Sequence, residues 1–269
     1  MAVSINRDNW RTYAQTKVDP ERWTMVIPAA GRGSRLGFDK AKILYPVAGR
    51  PILEWLLKLA LPLCAEVVLV LSPEGRGAVE PELARLAPGR YRIAIQAEPA
   101  GMGDAVECGV REVRTAQTAV LWGDQAGLRP ATVEALMRVH DGPLVPGMTV
   151  PTVWRAAPYI HFERDGSGRI VGLRQAREGD AMPETGESDA GFFCFQTALL
   201  QTLLTGLRTA PEARGAGTAE FNLLPIVPYA AGRGVEVLTP QLMSMEETVG
   251  INTAADARQV EAHLESLYA

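Results

Sequence analysis

Residues 25–44 read MVIPAAGRGSRLGFDKAKIL, and the fold turns on this stretch. The apolar opening, Met25 to Ile27, has the composition of a buried strand and stops at Pro28. Behind it, Ala29-Ala30-Gly31-Arg32-Gly33-Ser34-Arg35 carries too little side chain to fill space, which makes it a loop at the strand end. Gly31 and Gly33 let main-chain N–H groups approach a ligand closely and cradle an anion. Arg35 and Lys42 then add two cations suited to phosphate oxygens, the first as a planar fork and the second as a point charge. A strand that runs into such a loop reads as a polyphosphate site.

The rest of the first half supplies a setting for that loop. Apolar runs at 24–28, 66–71, 92–96 and 119–123 alternate with helical patterns at 51–61, 80–86, 104–113 and 131–140. The alternation predicts a parallel sheet with helices on both faces. Ligands of such sheets gather at the carboxyl ends of strands, where residues 28–35, 96–103 and Asp124 would meet. The second half is less regular. It predicts strands at 149–155, 161–164, 169–173, 191–196 and 235–238, with a turn at Asp165-Gly166-Ser167-Gly168. A charged, Gly- and Pro-containing segment at 177–187 reads as a mobile loop. A second loop at 211–218 leads into a helix from about 220 to 231, and a helix at 254–267 closes the chain. Residues 1–22, with Trp10 and Tyr13 among many charges, form an N-terminal extension. Residues 23–269 are expected to form one domain, with a nucleotide half at about 23–130 and an acceptor half at about 131–269.

At 269 residues, 47% hydrophobic and 22% charged, the chain has ordinary globular composition and ample core. A net charge of −4 argues against a general nucleic-acid binder, which needs a basic excess to neutralise a phosphate backbone. Cys64, Cys108 and Cys194 are odd in number, far apart and without a CxxC pair, so they read as reduced, buried thiols of a cytoplasmic protein. His140, His161 and His263 have no zinc-ligand spacing. The polar start (Asn6, Arg7, Asp8, Asn9) lacks the apolar core of a signal peptide. No apolar run approaches the about 20 residues of a membrane span. The oligomeric state is not legible.

Residues 29–44 resemble the signature loop of the sugar-1-phosphate nucleotidyltransferases, most nearly of their N-acetylglucosamine-1-phosphate uridyltransferase domain. Further segments fit in order: Gln96-Ala97-Glu98-Pro99-Ala100-Gly101-Met102-Gly103-Asp104-Ala105, Trp122-Gly123-Asp124, Asp189-Ala190-Gly191, Glu220-Phe221-Asn222 and Gly250-Ile251-Asn252-Thr253. The resemblance implies a Rossmann-like three-layer α/β/α nucleotidyltransferase fold, that of the nucleotide-diphospho-sugar transferases, with a mostly parallel mixed sheet. It implies a Mg²⁺-dependent enzyme that joins a nucleoside triphosphate, UTP in the first instance, to a sugar-1-phosphate such as N-acetylglucosamine-1-phosphate, with release of pyrophosphate. By the same resemblance Ala30, Gly31, Gly33 and Ser34 wrap the nucleotide phosphates and Arg35 binds those that leave. Lys42 stabilises charge at the α-phosphate, Gln96 reads the base, and Gly101 belongs to the nucleotide-binding set. Asp124 and Asn252 hold the metal, whose remaining ligands come from phosphates and water. Asp189 replaces the family asparagine that holds the sugar, and Glu220 falls on the sugar side.

Four departures stand against that pattern. Ala41 replaces a proline, Pro99 a glutamine, Met102 a threonine and Asp189 the asparagine. Ala41 loosens the loop without changing its charge, while Pro99, Met102 and Asp189 leave open a cytidylyl- or thymidylyltransferase acting on another sugar phosphate or on phosphocholine. A third reading is a catalytically silent nucleotide-sugar-binding regulator on the same fold. The sequence contains no acetyltransferase-type left-handed β-helix, so no acetyl transfer is expected. Trp122, Trp154 and His161 read as packing residues.

Overall fold

Met25 and Ile27 face one way and Val26 the other, and this period of two organises the whole molecule. The computed structural model describes residues 17–142, 146–242 and 244–268. Its central strand is β1 (Trp23–Pro28), buried throughout. A short hairpin, β2 (Pro46–Val47) and β3 (Arg50–Pro51), leads to α1 (Ile52–Ala60). Then follow β4 (Glu66–Leu71), α2 (Pro73–Leu86), β5 (Tyr91–Ile95), α3 (Met102–Val110), β6 (Gln117–Leu121) and α4 (Pro130–His140). The second half contributes β7 (Met148–Thr149), β8 (Thr152–Ala156), β9 (Ile160–Arg164), β10 (Ile170–Gln175), β11 (Thr185–Asp189) and β12 (Phe192–Gln196). It ends with α5 (Thr197–Leu207), α6 (Ile226–Gly232), β13 (Val237–Leu238) and α7 (Ala254–Tyr268).

Seven strands form one sheet in the order β13-β7-β12-β6-β1-β4-β5. β1 pairs in parallel with β4 and β6, β4 with β5, and β7 with β13. Only β12 runs against its neighbours β6 and β7. Strands from beyond residue 130 thus continue the same sheet. Met25, Ile27, Val67, Leu69 and Leu121 pack with residues of α1, α2, α4 and α7. Val26, Val68, Val70 and Val120 pack with residues of α3, α5 and α6 on the opposite face. Two apolar layers around one sheet give the three-layer α/β/α, Rossmann-like arrangement. Outside the sheet, β9 and β10 form a hairpin, and β8 pairs with β11.

The chain leaves β1 for β4 on one side, while β6 fills the other side. This reversal opens a crevice at the carboxyl ends of β1 and β6, where open α/β sheets bind ligands. Gly123 makes the crevice possible: a Cβ there would lie 2.3 Å from the Pro28 carbonyl oxygen.

Several expected elements shift. α2 starts at Pro73 rather than near residue 80, because the Ser72 hydroxyl accepts from Gly75 N at 3.1 Å and Pro73 occupies the first helical turn. The strand expected at 149–155 divides at Val150-Pro151 into β7 and β8. The loop expected at 177–187 holds a 3₁₀ turn (Ala176–Glu178) and the start of β11. The helix expected from residue 220 begins at Ile226, since Phe221 is held in extended form by main-chain bonds to Ala100 and Gly103. Residues 1–16 of the expected N-terminal extension lie outside the described residues. Its end, Pro20–Arg22, is a 3₁₀ turn capped by Asp19. No helix among the described residues is long and apolar enough to cross a membrane.

Candidate active site

A cavity of about 510 Å³ opens at the crevice between β1 and β6. Its floor begins with the loop after β1. The Lys42 N–H donates to the Gly31 carbonyl at 3.1 Å, the Gly33 N–H donates to Lys40 O at 3.3 Å, and Arg32 bridges to Ala41. The loop is therefore closed on itself like a hairpin, with a 3₁₀ turn at Ser34–Leu36 as its tip. A Cβ on Gly33 would meet Phe38 Cβ at 2.9 Å, so Gly33 is glycine for the loop's own closure. A Cβ on Gly31 would meet nothing within 4 Å; its bareness faces open space. The N–H groups of Ala30, Gly31 and Arg32, all cavity-lining residues, have no partner among the described residues. Adjacent unpartnered N–H groups form an anion-binding concavity.

Loop closure also aims Lys42. Its Nζ lies 2.7 Å from Asp124 Oδ2 and 3.0 Å from Asn252 Oδ1. Arg35 donates to the same Asn252 oxygen at 3.1 Å. Asp124 follows β6, and Asn252 is brought in by the segment before α7, whose Ile251 N–H donates to the Asp124 carbonyl at 3.1 Å. Asp256 fixes that segment by accepting from the N–H groups of Asn252 and Thr253 at 2.9 and 2.7 Å. Two cations and two oxygen donors, from three distant parts of the chain, thus converge at the cavity edge.

The opposite wall is built by Gln96 and the turn into α3. Gln96 is buried, and its Nε2 donates to the Gly101 carbonyl at 3.0 Å and to Asp104 Oδ2 at 3.1 Å. Both amide protons are therefore committed to the protein, and Oε1 is the end left for a ligand. Gly101 has φ +111°, and a Cβ there would lie 2.5 Å from the Phe221 carbonyl oxygen. Only glycine lets the 220–221 segment dock so closely. That docking delivers Glu220 to the cavity, where its carboxylate pairs with Arg177 at 2.6 Å. Glu178 ties the two loops together by accepting from Gly217 N, Thr218 N, Thr218 Oγ1 and Asn222 Nδ2. Desolvation opposes its charge, but the hydrogen bonds from Asn222, Thr218 and Gly217 prevail and hold its carboxyl below the ordinary range.

The cavity thus gathers Ala30, Gly31, Lys42, Gln96, Gly101, Asp124 and Glu220. Arg35 and Asn252 join through Lys42 at its edge. Gly33 and Ser34 sit in the loop beyond the cavity lining. Asp189 is also outside the lining: it is buried and accepts from Trp122 Nε1 at 3.1 Å and from Gly191 N at 3.0 Å. Burial raises its pKa against those two bonds and the charge of Arg155. Trp122, read from sequence as a packing residue, packs on Phe193 at 5.0 Å between ring centroids and also lines the cavity. Arg32, Arg177, Ser72 and Glu74 line it as well and had no separate signal in the sequence. His161 is structural, its Nδ1 accepting from Glu187 N at 3.1 Å. Among the described residues, no group of three or more His, Cys, Asp or Glu is placed to hold a metal ion. The oxygen atoms that face the Lys42 ammonium are Asp124 Oδ2 and Asn252 Oδ1.

Residues 25–188 match the family described as the MobA-like NTP transferase domain. The bifunctional protein GlmU of Sorangium cellulosum is 32% identical over 261 residues, covering 93% of this chain and 52% of that protein. GlmU of Burkholderia vietnamiensis is 33% identical over 242 residues, 88% of this chain and 51% of that protein. The chain spans about half the length of the curated relatives it matches. A solved structure of CMP:2-keto-3-deoxy-manno-octonic acid synthetase complexed with CTP has a TM-score of 0.65 at 18% identity. It covers 92% of this chain and 100% of its own, and shares the fold. By the match over residues 25–188, the chain belongs to the MobA-like NTP transferase domain family and so to the nucleotidyltransferases.

Proposed function

We propose that the protein transfers a nucleotidyl group from UTP to a sugar-1-phosphate of the N-acetylglucosamine-1-phosphate kind, releasing pyrophosphate. The observation that carries the reading is the meeting of Lys42, Asp124 and Asn252 at the edge of a cavity whose loop offers three unpartnered N–H groups. In this reading the N–H groups of Ala30, Gly31 and Arg32 cradle the triphosphate, and Arg35 swings from Asn252 to the departing phosphates. Lys42 holds charge at the α-phosphate, so that a second phosphate approaches in line against less repulsion. Reaction by electrostatic positioning needs no covalent nucleophile.

A divalent cation, Mg²⁺ by preference, fits the donor set. Asp124 Oδ2 and Asn252 Oδ1 already accept a cation, the Lys42 ammonium, and both are hard oxygen ligands. Mg²⁺ is commonly bound by one or two protein oxygens plus phosphates and water, as these two residues beside an anion-binding loop would require. Its chemistry would be to neutralise phosphate charge.

Gln96 supports a uracil reading, because a carbonyl facing the base accepts the ring N3–H that uracil has and cytosine lacks. On the acceptor side, Arg177 and Glu220 supply a guanidinium for phosphate and a carboxylate for hydroxyl groups. Asp189, buried outside the cavity lining with its Oδ2 accepting from both Trp122 and Gly191, orients the indole in the cavity rather than touching the acceptor. Pyrophosphate release from a matrix of UTP, CTP and dTTP against sugar-1-phosphates and phosphocholine tests the reading. Turnover with UTP and an N-acetylhexosamine-1-phosphate is expected. Preference for CTP, or for phosphocholine, would replace the donor or acceptor, and ligand binding without turnover would make the protein a regulator.

A further inference from the structure

Gln96 does not choose its own orientation. Rotating its amide by half a turn would exchange Oε1 and Nε2, and the two ends ask opposite things of a base. The oxygen accepts a ring N3–H. The nitrogen donates to a ring N3 lone pair. What fixes the choice lies behind the residue: two acceptors, the Gly101 carbonyl and Asp104 Oδ2, at 3.0 and 3.1 Å from Nε2. In the rotated form Oε1 would face both, oxygen against oxygen, in a site where Gln96 is buried. The hydrogen-bond network therefore assigns the amide.

Of these two acceptors, Gly101 O is main chain and Asp104 is a side chain that must itself be held. Arg208, beyond the end of α5, does so. Its Nη2 donates to Asp104 Oδ1 at 2.8 Å, and its Nε donates to Glu107 Oε2 at 2.6 Å, so that it bridges two carboxylates one turn apart on α3. The guanidinium also lies over the Phe221 ring, 4.8 Å from the centroid, on the segment that carries Glu220. Asp104 thus turns one carboxylate oxygen to Arg208 and the other to Gln96. None of these side chains but Gln96 lines the cavity.

We propose that Asp104, clamped by Arg208, is the positioning residue that sets which end of the Gln96 amide meets the nucleotide base, and hence the base preference of the site. The inference rests on the reading of this cavity as the nucleotide pocket. Replacing Asp104 with asparagine keeps size and shape but offers an amide nitrogen that can pair with a rotated Gln96 Oε1. The rotated form then keeps one oxygen–oxygen contact, with the Gly101 carbonyl, in place of two, and the preference for UTP over CTP narrows.

The test is equilibrium titration of the full chain with UTP and with CTP, without acceptor, for wild type, Asp104→Asn and Arg208→Gln. Wild type is expected to bind UTP more tightly than CTP. Asp104→Asn is expected to reduce the ratio of the two affinities at least tenfold, and Arg208→Gln to reduce it in the same direction by less. A purely structural role would weaken both nucleotides by one factor and leave the ratio alone. In a Gln96→Ala background, Asp104→Asn is expected to change the ratio no further, and this arm holds even where Arg208→Gln lowers stability. A ratio within twofold of wild type in folded Asp104→Asn overturns the role of Asp104 while leaving the nucleotide pocket intact. A wild-type protein that binds neither nucleotide, or both alike, overturns the pocket's reading and this inference together.

Discussion

Lys42→Ala is expected to separate turnover from folding by more than any other single change. In the folded chain the Lys42 ammonium sits 2.7 Å from Asp124 Oδ2, with side chains 17% and 22% exposed, and 3.0 Å from Asn252 Oδ1. A half-screened pair of this kind contributes about 1 kcal/mol or less to stability, since solvent competes for both partners. In a chain of this size about 1 kcal/mol corresponds to a shift of roughly 2–4 °C in Tm. During transfer the same ammonium would face phosphate charge. At about 4 Å and an effective dielectric constant of about 20, that interaction is worth about 4 kcal/mol at most. Loss of one preorganised contact of this type costs about 10²–10³ in kcat, which agrees with the Coulomb figure. The assay is pyrophosphate release at saturating triphosphate, beside thermal unfolding of the same preparation. A kcat within tenfold of wild type would remove Lys42 from the chemistry, and a fall in activity matched by loss of cooperative unfolding would make its role structural.

Asp124→Asn is expected to raise the half-activating Mg²⁺ concentration at least tenfold, as a carboxylate ligand becomes a neutral one; an unchanged metal titration would place the ion elsewhere. Gly101→Ala is expected to destabilise the fold by about 2–5 kcal/mol in chemical denaturation, combining a positive-φ penalty with a Cβ forced onto the Phe221 carbonyl. A loss under about 1 kcal/mol would show that the 220–221 segment moves aside freely. Burial depresses the pKa of His140 from 6.5 to about 3, with Arg22 adding to the effect. Its unfolded form takes up a proton below pH 6.5 and its folded form does not, so this contribution is full above that pH and is lost towards pH 3. The slope is about 1.4 kcal/mol per pH unit, or about 2 kcal/mol by pH 5. His140→Gln should flatten stability measured between pH 7 and 5, and an unchanged slope would assign the acid sensitivity to other groups.

Residues 25–44 contained the main decision. An apolar run stopped by Pro28 reads as a strand end, and a loop of alanine, glycine and two cations beyond it offers backbone and charge, as a tight turn or as an anion site. The alternation of runs and helical patterns to residue 140 followed from local burial periodicity, and those elements lie within a few residues of expectation. α2 was an exception with a readable cause: Ser72-Pro73-Glu74 is a helix start, obscured by Gly75 and Gly77. The extended form of Phe221 had no local cause, because its partners are Ala100 and Gly103, more than a hundred residues earlier in the chain. Its sequence neighbours favour helix, and tertiary hydrogen bonds override them.

The same division runs through the site. Residue types and their order announced a candidate anion-binding strand-loop, two cations at 35 and 42, and candidate oxygen ligands at 124 and 252, because those chemistries are properties of single side chains and short spacings. Which of them meet was a matter of the sheet. The close approach of Gly123 to the end of β1 sets Asp124 beside Lys42, the segment before α7 returns Asn252 to the same point, and Asp189 is turned inward to Trp122. The direction of the Gln96 amide belongs wholly to tertiary structure, since an amide's oxygen and nitrogen ends have the same shape and either orientation is open until neighbours at 101 and 104 select one.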